Sequence, residues 1–351
     1  MQLYRRLRED ILSARLKNGT KLPSKRFMSA ELGVSVITVE HAYALLEDEG
    51  YIRGRQRSGY FVCFGGTAAP AAVVPALQSI GSAVPEDFPF SALARTMRRV
   101  LSDYGQNILV RSPNRGCGEL RSAISEYLAR SRGISVSPES IIIGSGAEYL
   151  YGIVVQLLGR NRRFALEDPS YERIRQVYEA NGAKCELLKM GADGICSDAL
   201  DACTAGVLHV TPYSSFPSGV TASAHKRHKY AVWAEAHDAY IIEDDYDSEF
   251  AAAAKQVETI FSIAPERVIY INTFTKTLAP SMRMGYMLLP EPLLSEYSRR
   301  LDFYSCTVPV YEQLVLADFI NNGDFERYIN RRRRKARNMR PESSDKSFTV
   351  L

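Results

Sequence analysis

The stretch VIYINTFTKTLAPSMRMGYMLL, residues 268–289, sets two short apolar runs, 268–271 and 285–289, around a polar loop that carries Lys276 and Arg283. Runs of four or five β-rich residues without polar alternation read as strands buried on both faces, the habit of a mostly parallel sheet. Moving toward the N-terminus, similar runs recur at 240–242, 207–210, 163–166 and 141–143, each separated from the next by helical stretches. The region from about residue 85 is therefore expected to be α/β, with helices on both faces of a mostly parallel sheet.

In such sheets ligands sit beyond the carboxyl ends of the strands, and the polar residues of this sequence cluster there. The run at 141–143 leads into Gly144-Ser145-Gly146-Ala147 and a helical stretch, whose free N–H groups suit a phosphate. The run at 163–166 leads into EDPSY (167–171), that at 207–210 into TPYSSFPSG (211–219) and that at 240–242 into EDDY (243–246). The opening stretch adds NTFTKTLAP (272–280), with Arg283 seven residues after Lys276. Each piece alone is ordinary loop chemistry. Together they supply a phosphate cradle, an aromatic platform, a carboxylate, a phenol, a lysine and an arginine, the partners that pyridoxal 5′-phosphate (PLP) requires.

The first 64 residues follow a different rule. Leu3, Leu7 and Ile11 recur at helical spacing, predicting a helix over 2–14, with Gly19 ending the pattern. Ser24 after Pro23 is placed to cap a second helix, which Gly33 stops, and Ser35 to cap a third, with Val39, Ala42, Tyr43 and Leu46 on its core face. Two β-rich runs, 51–53 and 60–62, flank a Gly-bounded basic loop and read as a hairpin wing. Three helices and a wing make a DNA-binding module in which Arg53, Arg55 and Arg57 lie against phosphates while the third helix enters the major groove. Residues 65–84 are rich in Gly, Ala and Pro and read as a linker.

Composition narrows the class. With 46% apolar and 24% charged residues, the chain is neither disordered nor collagen-like nor a disulfide-stapled module. Its net charge is +4, distributed as +4 over 1–66, −6 through the middle and +6 over 325–351. The basic run at 331–337 is read as a solvated helix face. Six cysteines without zinc spacing point to a reduced, cytoplasmic protein, and neither a secretory signal nor a membrane-spanning run is evident.

The phrase LPSKRFMSAELGVSVITVEHAYALLEDEGYIRGRQRSGYFV (22–62) resembles the winged helix of the GntR family of bacterial repressors. Residues 85–337 resemble the fold type I aminotransferase domain. The two together are similar to the MocR/GabR subfamily of GntR regulators, in which a winged helix is fused to an aminotransferase-like domain. The resemblance implies a DNA-binding, PLP-binding transcriptional regulator, a cytoplasmic homodimer that senses an amino compound. It implies phosphate contacts from Arg26 and base or backbone contacts from Ser35 and Thr38. In FTKTLAPSMRMGY, Lys276 matches the lysine that forms the Schiff base with the cofactor. Asp244 matches the carboxylate on the pyridine nitrogen, Tyr246 the phenol near the cofactor's own phenolic oxygen and Tyr171 the aromatic stacked on the ring. Ser145, Gly146 and Ala147 with Thr273, Thr275 and Arg283 match the phosphate clamp.

The sequence also departs from the family. Val36 stands where an arginine is usual, and Ser214 and Ser215 replace a histidine and a glutamine. No tyrosine occurs in LVRSPNRGCGELR (109–121), where the partner subunit's tyrosine normally comes from. NMRPESSDKSFTVL (338–351) resembles nothing in the family's small C-terminal subdomain, so a divergent tail and a largely missing subdomain are expected. That subdomain normally supplies the arginine for a substrate carboxylate. Two alternatives stay open at this point: an active PLP-dependent aminotransferase, and a truncated product without function.

Overall fold

The computed structural model describes residues 2–55, 58–64, 88–245, 249 and 258–338. Arg57, Tyr246, the 65–84 linker and the tail from 339 lie outside the described residues, as does the side chain of Lys276. The chain divides into two units, Met1–Ile80 and Gly81–Leu351.

The first unit runs α1 (Gln2–Leu12), α2 (Lys25–Leu32), α3 (Val36–Asp48), β1 (Ile52–Arg55) and β2 (Gly59–Val62). Its helix ends have local causes. Ser24 Oγ accepts the Phe27 N–H at 3.2 Å and Ser35 Oγ the Thr38 N–H at 3.1 Å, each satisfying a donor that the first turn leaves free. Gly33 closes α2 in the left-handed region at φ 64. Helix α1 stops two residues before the predicted end, where Ala14 turns to φ 55. Leu7, Ile11, Met28, Val39, Tyr43, Leu46, Ile52 and Val62 form the core. The Tyr43 hydroxyl donates to the Pro23 carbonyl at 2.8 Å and ties α3 to the entry of α2. The wing strands are antiparallel, with Ile52 opposite Val62, and the Gly54 N–H donates to Glu47 at 2.7 Å, fixing the wing to the end of α3.

The second unit opens with α4 (Phe90–Tyr104) and α5 (Gly118–Arg132). It then alternates β3 (Ile141–Gly144), α6 (Ala147–Leu158), β4 (Arg163–Asp168), α7 (Glu172–Ala180), β5 (Lys184–Gly191), β6 (Gly194–Ile195), α8 (Ser197–Ala202) and β7 (Val207–Val210). Next come α9 (Ala224–Ala236), β8 (Tyr240–Asp244), α10 (Ile260–Ile263), β9 (Val268–Thr273), α11 (Phe274–Thr277) and β10 (Gly285–Leu288). Helices α12 (Glu291–Leu301), α13 (Val310–Asn321) and α14 (Asp324–Asn338) follow.

Eight strands form one sheet in the order β3-β10-β9-β8-β7-β4-β5-β6. From β9 to β5 neighbours are parallel, whereas β10 is antiparallel to both β9 and β3. Successive residues of one strand enter opposite cores. Ile141, Ile143, Leu208, Ile241 and Val268 join one, while Ile142, Phe164, Val207, Ile242 and Ile269 join the other. The two-faced burial expected from the apolar runs is thus present. Strand β5 escaped the sequence reading because KCELLKMG lies near the sheet's edge, where Leu187 is 46% exposed and charged residues interrupt the apolar pattern.

The topology sets the site. Strands β3 and β9 both oppose β10, so they point the same way and end on the same edge as β4, β7 and β8. Gly285 pairs with Gly144 on one side and Thr273 on the other. Three backbones crowd there: a Cβ on Gly144 would fall 2.6 Å from the Tyr149 ring, and one on Gly285 2.9 Å from the Asn272 carbonyl oxygen.

Candidate functional site

Where β3 ends, Ser145 and Gly146 turn the chain into α6. Gly146 takes φ 99 and no side chain caps the helix, so the first-turn N–H groups have no side-chain acceptor at the cap position. Arg283 comes to this turn from the other side of the register, after the short helical turn Pro280–Met282, and holds φ 37, a left-handed backbone unusual for a side-chain-bearing residue. A Cβ on Gly146 would lie 3.7 Å from Arg283 Nη2. The guanidinium donates to Glu148 Oε2 at 2.9 Å, and Arg173 Nη1 lies 3.3 Å from Glu148 Oε1. Glu148 was not singled out in the sequence; an acid in a first turn reads simply as favourable to the helix dipole.

Asp244 ends β8 and is 5% exposed. Its Oδ2 accepts the hydroxyl of Tyr151 from α6 and lies 3.7 Å from His209 Nε2 of β7. His209 Nδ1 in turn shares a 2.7 Å hydrogen bond with the Tyr178 hydroxyl of α7, with donor and acceptor set by the imidazole tautomer. His209 Nε2 itself has no hydrogen-bond partner among the described residues. Burial and the Asp244 charge hold the Tyr151 and Tyr178 phenols well above their ordinary range, so both stay protonated. None of these three side chains was flagged by sequence reasoning: Tyr151 and His209 lie in apolar runs, and Tyr178 is four residues after Ile174 on the buried side of an amphipathic helix, so each reads as core.

The flanking acids have separate partners. Glu243 accepts from the Tyr213 hydroxyl at 2.6 Å and from the Ile260 and Phe261 N–H groups at 2.9 and 2.8 Å, and burial pushes its carboxyl up to about 7. Asp245 pairs with Arg132 and the Tyr270 hydroxyl. Glu167 is buried, its carboxyl raised, and accepts from Ser215 Oγ at 2.6 Å. Ser215, one of the departures, thus satisfies a buried acid, while Ser214 is exposed.

Tyr171 stands just before α7, 43% exposed, edge-on to Phe216 with ring centres 6.0 Å apart. Thr273 ends β9 and is buried, Thr275 is half-buried, and the backbone of Lys276 lies in α11 one strand over from Asp244, since Asp244 pairs with Ile271. In the first unit Arg26, Ser35, Thr38, Arg53 and Arg55 are all exposed. The Arg55 guanidinium packs 4.8 Å above the Phe61 ring.

Residues 1–62 match the family of bacterial regulatory proteins, gntR family, and residues 80–344 match aminotransferase class I and II. The chain is 36% identical to the HTH-type transcriptional regulator YdeL of Bacillus subtilis, over 97% of this chain and 77% of that protein. It is 32% identical to the probable rhizopine catabolism regulatory protein MocR of Rhizobium meliloti, over 95% of this chain and 74% of that one. The fold resembles the crystal structure of an archaeal alanine:glyoxylate aminotransferase, with a TM-score of 0.63 at 24% identity, covering 70% of this chain. The chain spans 63% of that enzyme's length, less than two thirds. With a GntR winged helix followed by an aminotransferase class I and II domain and relatives of the same architecture along nearly its whole length, the chain belongs to the MocR/GabR subfamily of GntR-type transcriptional regulators.

Proposed function

We propose that the chain regulates transcription as a cytoplasmic homodimer, binding operator DNA through its winged helix and PLP through the strand-end site of its second unit. An amino compound acting on the bound cofactor is the proposed effector. The DNA face comprises Arg26, Ser35, Thr38, Arg53, Arg55 and Arg57. In the second unit Ser145, Gly146, Ala147, Thr273, Thr275 and Arg283 hold the phosphate. Tyr171 covers the ring, Asp244 faces its nitrogen, Tyr246 its phenolic oxygen, and Lys276 supplies the amine.

The observation that carries this reading is the register of β3, β10 and β9 about Gly285, which brings a glycine turn, a helix start and an arginine to one edge, with the Asp244 end next along the sheet. The residues fit the cofactor on their own geometry. Gly146 leaves open the space a Cβ would take near Arg283, and a guanidinium beside uncapped N–H groups is the donor set a phosphate dianion wants. Asp244, served by the Tyr151 hydroxyl, remains an acceptor for a protonated ring nitrogen. When bound, PLP supplies an electrophilic aldehyde and an electron-withdrawing ring. The protein orients that ring, neutralises the phosphate and presents an amine. Homodimerisation is proposed from the aminotransferase-like fold of the second unit, and the adjacent Leu109 and Val110, 81% and 58% exposed, are apolar side chains that such a contact would cover.

Three measurements test the reading. Addition of PLP should give a visible absorption band that Lys276→Ala removes; no band in the wild type sinks the ligand half. A gel shift on DNA flanking the protein's own gene should appear with the wild type and weaken strongly in the Arg26→Ala, Arg55→Ala double variant, and unchanged binding by that variant contradicts the assigned face. Sedimentation should give twice the chain mass, and a monomer at micromolar concentration removes the dimer.

A further inference from the structure

The outward face of α3 is poor in groups that read a base by hydrogen bonding. Helix α3 is VITVEHAYALLED, and Val39, Ala42, Tyr43 and Leu46 go into the core. The hydroxyls of Ser35 and Thr38 share a hydrogen bond at 2.8 Å as part of the cap, and Glu40 is held by Lys25 at 2.6 Å. Arg, Lys, Asn and Gln, the side chains that grip guanine or adenine by two hydrogen bonds, are all missing from this helix. What projects beside Thr38, Glu40 and His41, which are exposed as well, is aliphatic: Ile37 is 77% exposed and Val36 is 42% exposed. Ile37 borders a depression of about 280 Å³ that Tyr4, Thr38, His41, Ala42 and Leu45 also line. Arg26 on α2 and Arg53 and Arg55 on the wing supply exposed positive charge in the same unit. The unit's own core gives no reason for so exposed a side chain in the first turn of this helix to be isoleucine. Among the base edges of the major groove, the thymine C5-methyl is the apolar one.

We infer that Ile37, assisted by Val36, is the sequence-reading element of this winged helix and that it reads thymine methyl groups. The inference rests on the DNA-binding reading above and adds to it the chemistry of the preferred site. The arginines set affinity without regard to sequence, and the aliphatic pair discriminates T·A from C·G by contact with the methyl rather than by paired hydrogen bonds.

The test uses the full chain to select tight duplexes from a random-sequence pool. The selected duplex is then resynthesised with deoxyuridine in place of thymidine, which removes only the methyl groups. Wild-type affinity should fall about fourfold for each contacted thymine. In Ile37→Ala the same replacement should cost under about twofold, and Ile37→Val, which keeps a branched aliphatic contact, should retain most of the wild-type sensitivity. Ile37 is exposed, so both variants should melt with the wild type. Equal binding of the two duplexes by the wild type, or an undiminished uracil penalty in Ile37→Ala, overturns the inference while salt-dependent DNA binding stands. Failure to bind any duplex at low salt sinks the DNA-binding reading and this inference together.

Discussion

Asp244 and Glu148 are both carboxylates at the strand-end edge of the second unit, and they are held in opposite ways. Asp244 is 5% exposed and is served by neutral or tautomer-dependent groups from separate elements, Tyr151 on α6 and His209 on β7, the latter steadied by Tyr178 on α7. The Glu148 side chain is 39% exposed and engages two guanidiniums, Arg283 at 53% and Arg173 at 62% exposure. A buried anion needs its donors in place when the chain folds, because a carboxylate stranded in the interior costs several kcal/mol. An exposed ion pair is worth about 0–1 kcal/mol and exchanges readily. On the proposed function, the ring-nitrogen end is built before the cofactor arrives, whereas the phosphate end is left for the cofactor to complete.

The largest expected effect lies at the buried end. Asp244→Ala removes the acceptor of the Tyr151 hydroxyl and should lower stability by about 1–3 kcal/mol, the cost of leaving a buried donor unmet. PLP affinity should fall about 10- to 100-fold, the worth of a charged hydrogen bond. Asp244→Asn separates the two losses: it keeps the shape and an acceptor, so denaturant midpoints should move little while spectroscopic titration still shows the affinity loss. Wild-type affinity in Asp244→Asn would remove this carboxylate from the ring-nitrogen role.

Glu243, one residue earlier on β8, sharpens the contrast through pH. Burial raises its carboxyl from the usual 4.5 to about 7 despite the Tyr213 hydroxyl and two backbone donors. Between those values the native chain holds a proton that the unfolded chain has released. Stability therefore falls as pH rises from about 4.5 to 7, by up to about 3 kcal/mol, and levels off above. Glu249 is raised to about 7 by burial as well, and burial also raises Glu167 and Glu312, so the wild-type slope carries all four groups. Urea midpoints at pH 5 and 7.5 should show a shallower dependence in Glu243→Gln than in the wild type. Identical slopes in Glu243→Gln and wild type would mean that Glu243 is ionised at both pH values.

The same contrast separates what the sequence makes legible from what it hides. The caps at Ser24 and Ser35, the stop at Gly33 and the two-faced strands are written in neighbouring residues, and local physics decides them. The residues that surround Asp244 are not. Tyr151 sits in AEYLYGIVVQLL and His209 in VLHV, where helical or strand periodicity files them as core. Their convergence depends on the strand order β8-β7-β4 and on α6 and α7 packing against that sheet, which no short stretch encodes. The position of Arg283 is legible for the opposite reason: a charged side chain in a loop between apolar strands interrupts the pattern, and the structure brings it to the Gly146 turn. Tyr151→Phe tests whether the hidden partners matter. Loss of one buried hydrogen bond to a charged group should cost about 1.5–3 kcal/mol in a denaturation curve, and a neutral outcome would make Tyr151 packing alone.

The smallest expected effect has the opposite sign. A carboxylate in the first turn of α6 favours the helix by itself, but on the proposed function it occupies the guanidinium that a phosphate needs and repels the incoming dianion at the same helix start. Glu148→Gln keeps the length of the side chain and a hydrogen-bonding oxygen while removing the charge. PLP affinity should rise about two- to fivefold at low salt, the range of an exposed ion pair, and the gain should shrink in 0.5 M NaCl as screening sets in. Inorganic phosphate should protect Glu148→Gln against thermal unfolding more than it protects the wild type. A drop in affinity would instead mean that Glu148 positions Arg283, so that the ion pair prepares the clamp rather than competing for it, and the exposed end would be as prebuilt as the buried one.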